Sequence, residues 1–183
     1  AAISYDHMDR LGDTLTEIAG EKAGIIKPGC PVVTSAEAEE ALQVIRRKAD
    51  ECGTICVETR QIPYRIKEEG LWGCRFDVAL RGRTFENLQI SMAGEHQVKN
   101  AIAALTALLL LEENKKITLT EDALYSGFAA AKQPGRLETL TEEGEKPVIL
   151  LDGAHNEDGA RVLRQALEAF CQNKKILMVV GIL

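Results

Sequence analysis

The first regular pattern of apolar and polar positions in the chain predicts an amphipathic helix. Positions i, i+3, i+4 and i+7 lie on one face of a helix. Counted from Leu15, these positions are the apolar residues Leu15, Ile18 and Ala19, followed by Lys22. Thr14 and Glu17 form a T-x-x-E capping box, so the helix is predicted to begin near Leu15. Gly24 is predicted to end it in a left-handed conformation. Lys22 is therefore expected on the apolar face, where its amine must reach solvent, pair with an acid or take part in chemistry.

Strand and helix patterns then alternate. Residues 30–33 predict a short strand, residues 36–49 an amphipathic helix and residues 54–57 a second strand. This order is typical of neighbouring strands in a parallel sheet. The fold class is therefore expected to be α/β.

The pattern changes to short strands in the next part of the chain, at residues 63–67, 74–80 and 85–91. Residues 75–80 alternate polar and apolar side chains, as a half-exposed antiparallel strand does. A small antiparallel sheet is therefore predicted beside the parallel one.

Two further helices are predicted at residues 97–111 and 120–131, and a Gln-Pro-Gly sequence then interrupts the chain. We place a domain boundary at this interruption. Residues 1–133 are then the C-terminal portion of a central domain, and residues 134–183 are the beginning of a second domain.

The second domain is predicted to open with a β-α-β unit of the doubly wound type. Its strands are residues 148–151 and 175–180, both expected to be buried, and its helix is residues 158–170. A single unit of this kind cannot cover both faces of its sheet. The chain is therefore expected to be a fragment that is cut at both ends.

Composition narrows the function classes. Of the 183 residues 45% are hydrophobic and 27% are charged, as in ordinary globular proteins. A net charge of −6 without a basic stretch argues against nucleic-acid binding. The longest apolar run, residues 101–111, is too short to cross a bilayer, and no signal peptide is visible. A cytoplasmic location without membrane contact is therefore expected.

The cysteines are odd in number and lack C-x-x-C spacing, so we expect reduced and mostly buried thiols and no structural zinc site. The five cysteines are Cys30, Cys52, Cys56, Cys74 and Cys171.

Three motifs carry a resemblance to a known family. They are D-H-M-D-x-L-G-D-T-L-x-x-I-A-x-E-K-A-G-I-I-K-P-G at 6–29, G-E-H-Q-V-K-N-A at 94–101, and G-R-L-E at 135–138 followed by L-D-G-A-H-N at 151–156. Their order and sequence resemble the folylpolyglutamate synthase and dihydrofolate synthase family, the folate branch of the Mur ligases. The resemblance implies the C-terminal part of a Mur-ligase central ATPase domain, followed by the start of a Rossmann-like domain. The family's N-terminal part, with its glycine-rich phosphate loop, is absent from this sequence.

His7 and Lys22 are candidate magnesium ligands through this resemblance. From residue types alone, Mg²⁺ prefers oxygen ligands, and a helix lysine usually extends its amine to water. The resemblance implies that Lys22 is carbamylated and that its new carboxylate serves a Mg²⁺ site to which His7 also binds. Burial would favour the neutral amine that captures carbon dioxide. Asp6 is expected to be structural or to support the ligands.

Asn100, Arg136 and Asp152 are implied ATP contacts. Without the resemblance, the ordinary interpretation of Asn100 is an asparagine that bonds nearby backbone. That of Arg136 is a solvated linker arginine, and that of Asp152 is a loop aspartate. His155 is expected, from its position, to face the cleft where glutamate and an acyl phosphate meet. His96 is expected to be structural.

The resemblance implies an ATP-dependent ligase that adds L-glutamate to folate, or to dihydropteroate, through an acyl phosphate. ATP, Mg²⁺ and these small molecules are then its partners, the parent enzyme is expected to be a monomer, and the chain alone is expected to be inactive. Two alternatives stay open: a peptidoglycan Mur ligase with a nucleotide-linked muramyl substrate, and a non-catalytic binding module. A G-x-x-G-K-[ST]-like loop upstream in the parent reading frame would separate an enzyme from a binding module.

Overall fold

The computed structural model of the chain describes residue 3 and residues 11–181. The helices in this part of the chain are α1 (Leu15–Ala23), α2 (Glu39–Glu51), α3 (Glu95–Glu113), α4 (Glu121–Ala130) and α5 (Glu157–Phe170). The strands are β1 (Val32–Thr34), β2 (Cys56–Glu58), β3 (Tyr64–Gly70), β4 (Gly73–Leu80), β5 (Arg83–Ile90), β6 (Glu138–Thr139) and β7 (Leu150–Leu151).

The predicted α/β architecture is confirmed in the first part of the chain. Strands β1 and β2 pair in parallel, with Val33 opposite Val57, and α2 makes the crossover between them. Helix α1 packs on α2 through small and branched apolar side chains, among them Ala19 and Leu42, which are fully buried. This burial fixes the helix that carries Lys22 against the parallel unit.

The predicted antiparallel sheet is also confirmed, with the strand order β3-β4-β5. Alternate side chains of β4 are buried, as the pattern requires, and α3 and α4 cover the same face. The largest side chains in this core that are fully buried are Phe76, Phe85, Leu88, Ile90, Ile102, Leu105 and Leu109. The N-terminal half of α3, which carries the second motif, is thereby anchored on a rigid layer.

The start of α1 follows the sequence prediction, but its end does not. The Thr14 hydroxyl accepts a hydrogen bond from the Glu17 amide, and the Glu17 carboxylate accepts one from the Thr14 amide. Gly24 has φ −57° and ψ −19°, so the predicted left-handed ending is wrong. The chain instead continues in a right-handed turn, because the amide of buried Ile26 donates to the carbonyl of Ala23 over 3.0 Å.

Lys22 lies on the apolar side of α1, as predicted, but it is not buried. The buried residues of this helix are Ile18, Ala19 and Ala23, and Lys22 is exposed. Successive helix residues differ by about 100° around the axis, so Lys22 lies about 40° from Ile18 and about 60° from Ala19, on the same side of the helix as both, and its side chain extends from that side into solvent.

The last part of the chain confirms only some of the predicted β-α-β unit. Helix α5 forms as expected, but β7 pairs antiparallel with β6. Residues 175–180 form no strand, and Leu177 and Val179 are each 92% exposed, so the prediction of a second buried strand is wrong. A strand requires a neighbouring backbone edge to pair with, and the described residues provide none beside this run. The division at residue 133 stays a prediction.

The cysteine prediction needs correction. All five cysteines are free thiols, but only Cys74 is buried, and burial raises the pKa of its thiol. Cys30 lies in the exposed turn before β1, and the other three are partly exposed. None of the helices in residues 11–181 combines the length and the apolar character needed to cross a membrane.

Candidate functional site

The carboxylate of Asp152, just after β7, joins the two motifs of the last part of the chain. Its Oδ2 accepts a hydrogen bond from the backbone N–H of Leu137 over 2.8 Å, and its Oδ1 accepts one from the N–H of Ala154 over 2.9 Å. The N–H of Gly153 also donates to the carbonyl of Gly135 over 2.7 Å. The G-R-L-E and D-G-A-H-N motifs are therefore held side by side.

Arg136 lies within this joined pair of loops, and its side chain is exposed. The described residues give its guanidinium no ion-pair partner, so it is available to an anion. Arg136 also borders a cleft of about 420 Å³ that Lys132 and three glutamates line. The three carboxylates outweigh the two cations, so the lining of this cleft does not itself favour an anion. Phosphate binding at Arg136 therefore requires the guanidinium to point away from these acids.

His96, in the first turn of α3, lies close enough to feel both Asp152 and Arg136. Burial lowers the pKa of its imidazole, the Asp152 carboxylate opposes this shift, and the Arg136 guanidinium adds to it. The ring packs against Gly94, where an added Cβ would lie 2.8 Å from two ring atoms. Gly94 also has φ +94°, so no other residue fits this approach easily. The sequence interpretation gave His96 no role beyond structure, whereas the structure places it beside two predicted site residues.

Asn100 lies on the exposed side of α3, one turn after His96. Its Nδ2 donates a hydrogen bond to Oε1 of Gln97 over 3.1 Å. Gln97 is only 2% exposed, so it holds the Asn100 amide in one orientation from a fixed position. The sequence interpretation missed Gln97, although its i, i+3 spacing from Asn100 was a signal for such a pair.

His155 is exposed and bends back onto its own loop. Its Nδ1 lies 2.8 Å from the carbonyl oxygen of Gly153, and a carbonyl only accepts, so Nδ1 carries the proton in this contact. The following residue, Asn156, caps α5 by accepting a hydrogen bond from the amide of Gly159 over 2.8 Å. Asn156, the last residue of the D-G-A-H-N motif, therefore has a structural role as the N-cap of α5.

The proposed metal ligands are only partly covered by the structure. His7 and Asp6 lie outside the described residues. Lys22 is exposed, and within residues 11–181 no hydrogen bond or ion pair joins it to Arg136 or Asp152. Within the same residues, no group of three or more His, Cys, Asp or Glu side chains is arranged to hold a metal ion. The described residues thus bring Arg136, Asp152 and His96 together but do not assemble a magnesium site.

The sequence and the fold match a known family. Residues 1–108 match the model of the Mur ligase middle domain, so the chain belongs to the Mur ligase family. Within that family it is similar to a dihydrofolate synthase/folylpolyglutamate synthase of Bacillus subtilis, with 38% identity over 97% of this chain and 41% of the relative. It is also 33% identical to the folylpolyglutamate synthase of Lacticaseibacillus casei, over 99% of this chain and 42% of the relative.

A solved structure supports the same relationship. A complex of folylpolyglutamate synthase with AMPPCP and folate superposes with a TM-score of 0.81 at 32% identity, covering 92% of this chain and 40% of that one. The resemblance to the folate branch is therefore confirmed. The chain spans about two fifths of the length of the curated relatives that it matches.

Proposed function

We propose that this chain is part of an ATP-dependent ligase that adds L-glutamate to folate or to dihydropteroate. ATP first phosphorylates the acceptor carboxylate, and the amine of glutamate then displaces phosphate to form the amide. The observation that carries the proposal is the hydrogen-bonded pairing of the Arg136 and Asp152 loops. This pairing occurs in a fold shared with a ligase that was solved with AMPPCP and folate.

Arg136 is proposed to bind phosphate oxygens of ATP. Its guanidinium fork suits two phosphate oxygens at once, and the exposed, unpaired side chain is free to take them. Positive charge near the transferred phosphoryl group stabilises the charge that develops there. Because the Asp152 oxygens already accept two backbone N–H groups, its contact with ATP must use the lone pairs that remain.

Asn100 is proposed to make a further ATP contact. An amide both donates and accepts, and Gln97 occupies only one of its donor positions. His155 is proposed to face the glutamate side of the cleft. The contact of Nδ1 with the Gly153 carbonyl holds the ring against its own loop.

The magnesium site is proposed from the family resemblance, with His7 and a carbamate on Lys22 as ligands. Bound Mg²⁺ would neutralise charge on the transferring phosphoryl group. The described residues alone do not make this site, and exposed Lys22 lacks the burial that was expected to keep its amine neutral. We also propose that the ligase is a monomer and that it lies in the cytoplasm. The five free thiols support the cytoplasmic location.

The test uses the complete ligase that contains this chain, with Arg136→Ala and Asp152→Ala. Losing a charge-assisted contact in a closed cleft costs roughly 1.5–3 kcal/mol, so kcat/KM for ATP should fall about ten- to a hundredfold. Lys132→Ala is the matched control, because Lys132 lines the neighbouring cleft and is not in either motif. Arg136→Ala and Asp152→Ala activities equal to that of the control would contradict the nucleotide assignment.

A further inference from the structure

The backbone on both sides of Arg136 is fixed by carboxylates. The amide of Gly135 donates to Oε2 of Glu138 over 2.8 Å, and the amide of Leu137 donates to Oδ2 of Asp152 over 2.8 Å. The Gly135 carbonyl accepts from Gly153 over 2.7 Å. The Leu137 amide and the Gly135 carbonyl belong to the two peptide groups that flank Arg136, the Gly135 amide belongs to the peptide group before these, and none of the bonds acts on the Arg136 side chain.

The conformation that these bonds hold is not one that the chain adopts freely. Gly135 has φ +71° and Leu137 has φ +46°, so the chain makes two left-handed bends with Arg136 between them. A left-handed conformation is uncommon for a leucine and persists where surrounding contacts determine it. Leu137 is 3% exposed and packs with Ala93 and Ala166, which holds one side of the bend. On the other side Gly135 has no side chain to pack, and its backbone is held by hydrogen bonds from the Gly153 amide and to the Glu138 carboxylate.

Glu138 therefore contributes to holding the backbone on the Gly135 side of Arg136. Its carboxylate reaches back three residues to the Gly135 amide, and within the described part of the chain it has no ion-pair partner. In particular it does not pair with Arg136. It thus holds the amide of left-handed Gly135, the residue before Arg136, without occupying the guanidinium.

We propose that Glu138 is a positioning residue for Arg136. By holding the Gly135 amide, it fixes the left-handed conformation from which the Arg136 side chain leaves the backbone, so that the guanidinium is presented to a phosphate. Glu138 need not touch the nucleotide. The inference rests on the proposed function, because it assumes that Arg136 binds a phosphate of ATP.

The experiment is a double-mutant cycle in the complete ligase, with kcat and KM for ATP measured for each variant. Glu138→Ala should lower kcat/KM for ATP by about tenfold, since a bond to a charged acceptor is lost. Glu138→Gln should recover most of that loss, because its amide oxygen accepts the same bond. Glu143→Ala is the matched control: Glu143 lines the same cleft, and within residues 11–181 it makes no hydrogen bond to the backbone of residues 135–137. It should behave as the unchanged enzyme.

The decisive variant is Arg136→Ala combined with Glu138→Ala. If Glu138 acts only through Arg136, the double variant is no worse than Arg136→Ala alone. Additive losses, or no loss in Glu138→Ala, would overturn the inference while leaving Arg136 as a nucleotide contact. An Arg136→Ala enzyme with unchanged ATP kinetics would instead overturn the proposed function.

Discussion

The indole N–H of Trp72 donates a hydrogen bond to the backbone carbonyl of Thr141 over 3.3 Å. Trp72 lies in the turn between β3 and β4, and Thr141 follows β6, so one bond joins the antiparallel sheet to the segment after the predicted domain boundary. Both residues line the cleft beside Arg136. Trp72 is also the single tryptophan of the chain.

Trp72→Phe should loosen this junction while leaving the antiparallel sheet folded. Phenylalanine keeps most of the ring packing but loses the donor, at about 1 kcal/mol. Hydrogen exchange of residues 138–151 should become faster, as measured by mass spectrometry. Tyr125→Phe is the matched control, because it removes a bond of similar length, from Tyr125 to the Glu86 carbonyl, within the first part of the chain. Equal exchange of residues 138–151 in both variants would show that the Trp72 bond does not hold the junction.

The carbamate at Lys22 can be tested by Lys22→Arg in the complete ligase. A guanidinium stays protonated and cannot add carbon dioxide, so the variant should lose its magnesium-dependent ligase activity. The loss of activity should be at least about a hundredfold. Removing a residue that only orients a metal ligand costs up to about a hundredfold in activity, and removing the ligand itself should cost at least as much. Lys27→Arg is the control, since Lys27 is a nearby lysine that only bonds the Gly24 carbonyl. Small carboxylates in excess should partly restore activity to Lys22→Ala.

Near-normal activity of Lys22→Arg would leave the carbamate without support. It would mean that Lys22 acts as the exposed helix residue that the structure shows, because an arginine stem packs equally well there.

Stability should depend on pH through His96. Burial holds its pKa below the ordinary histidine value, so the unfolded chain takes up the proton before the folded chain does. The stability that neutral His96 contributes is therefore complete above about pH 6.5 and is lost as the pH falls through the lower folded pKa. His96→Gln should flatten the dependence of Tm on pH below about pH 6.5. An unchanged slope in His96→Gln would contradict the burial argument.

Regular periodicity made much of the fold predictable. The alternation in β4 and the capping box of α1 each determine local structure through neighbours in the sequence, so both predictions are confirmed. Predictions that depended on distant packing were less reliable. Spacing placed Lys22 on the apolar side of α1, but spacing does not show whether neighbouring elements cover a side chain there, and Lys22 is exposed. The run at 175–180 has strand composition, yet composition cannot supply the neighbouring edge that a strand needs.

The candidate site shows the same limit. The G-R-L-E and D-G-A-H-N motifs identified Arg136 and Asp152, but nothing in their spacing showed that Asp152 accepts the amide of Leu137 fifteen residues away. Glu138 and Gln97 were overlooked because each acts through a hydrogen bond with a residue nearby in the sequence. The geometry of such a bond depends on the local backbone conformation. Such residues look like ordinary surface or helix positions until the backbone is known.

The bend at Leu137 also restricts how this position can vary in sequence. A residue here must tolerate φ +46° and must also fill a buried site between Ala93 and Ala166. Valine and isoleucine suit the burial but are poorly tolerated in the left-handed region, and asparagine suits the backbone but would bury an amide. Position 137 should therefore accept only unbranched or γ-branched apolar side chains. In a library randomised at this codon and selected for soluble folding, valine, isoleucine and asparagine should be depleted together, although they share no other property.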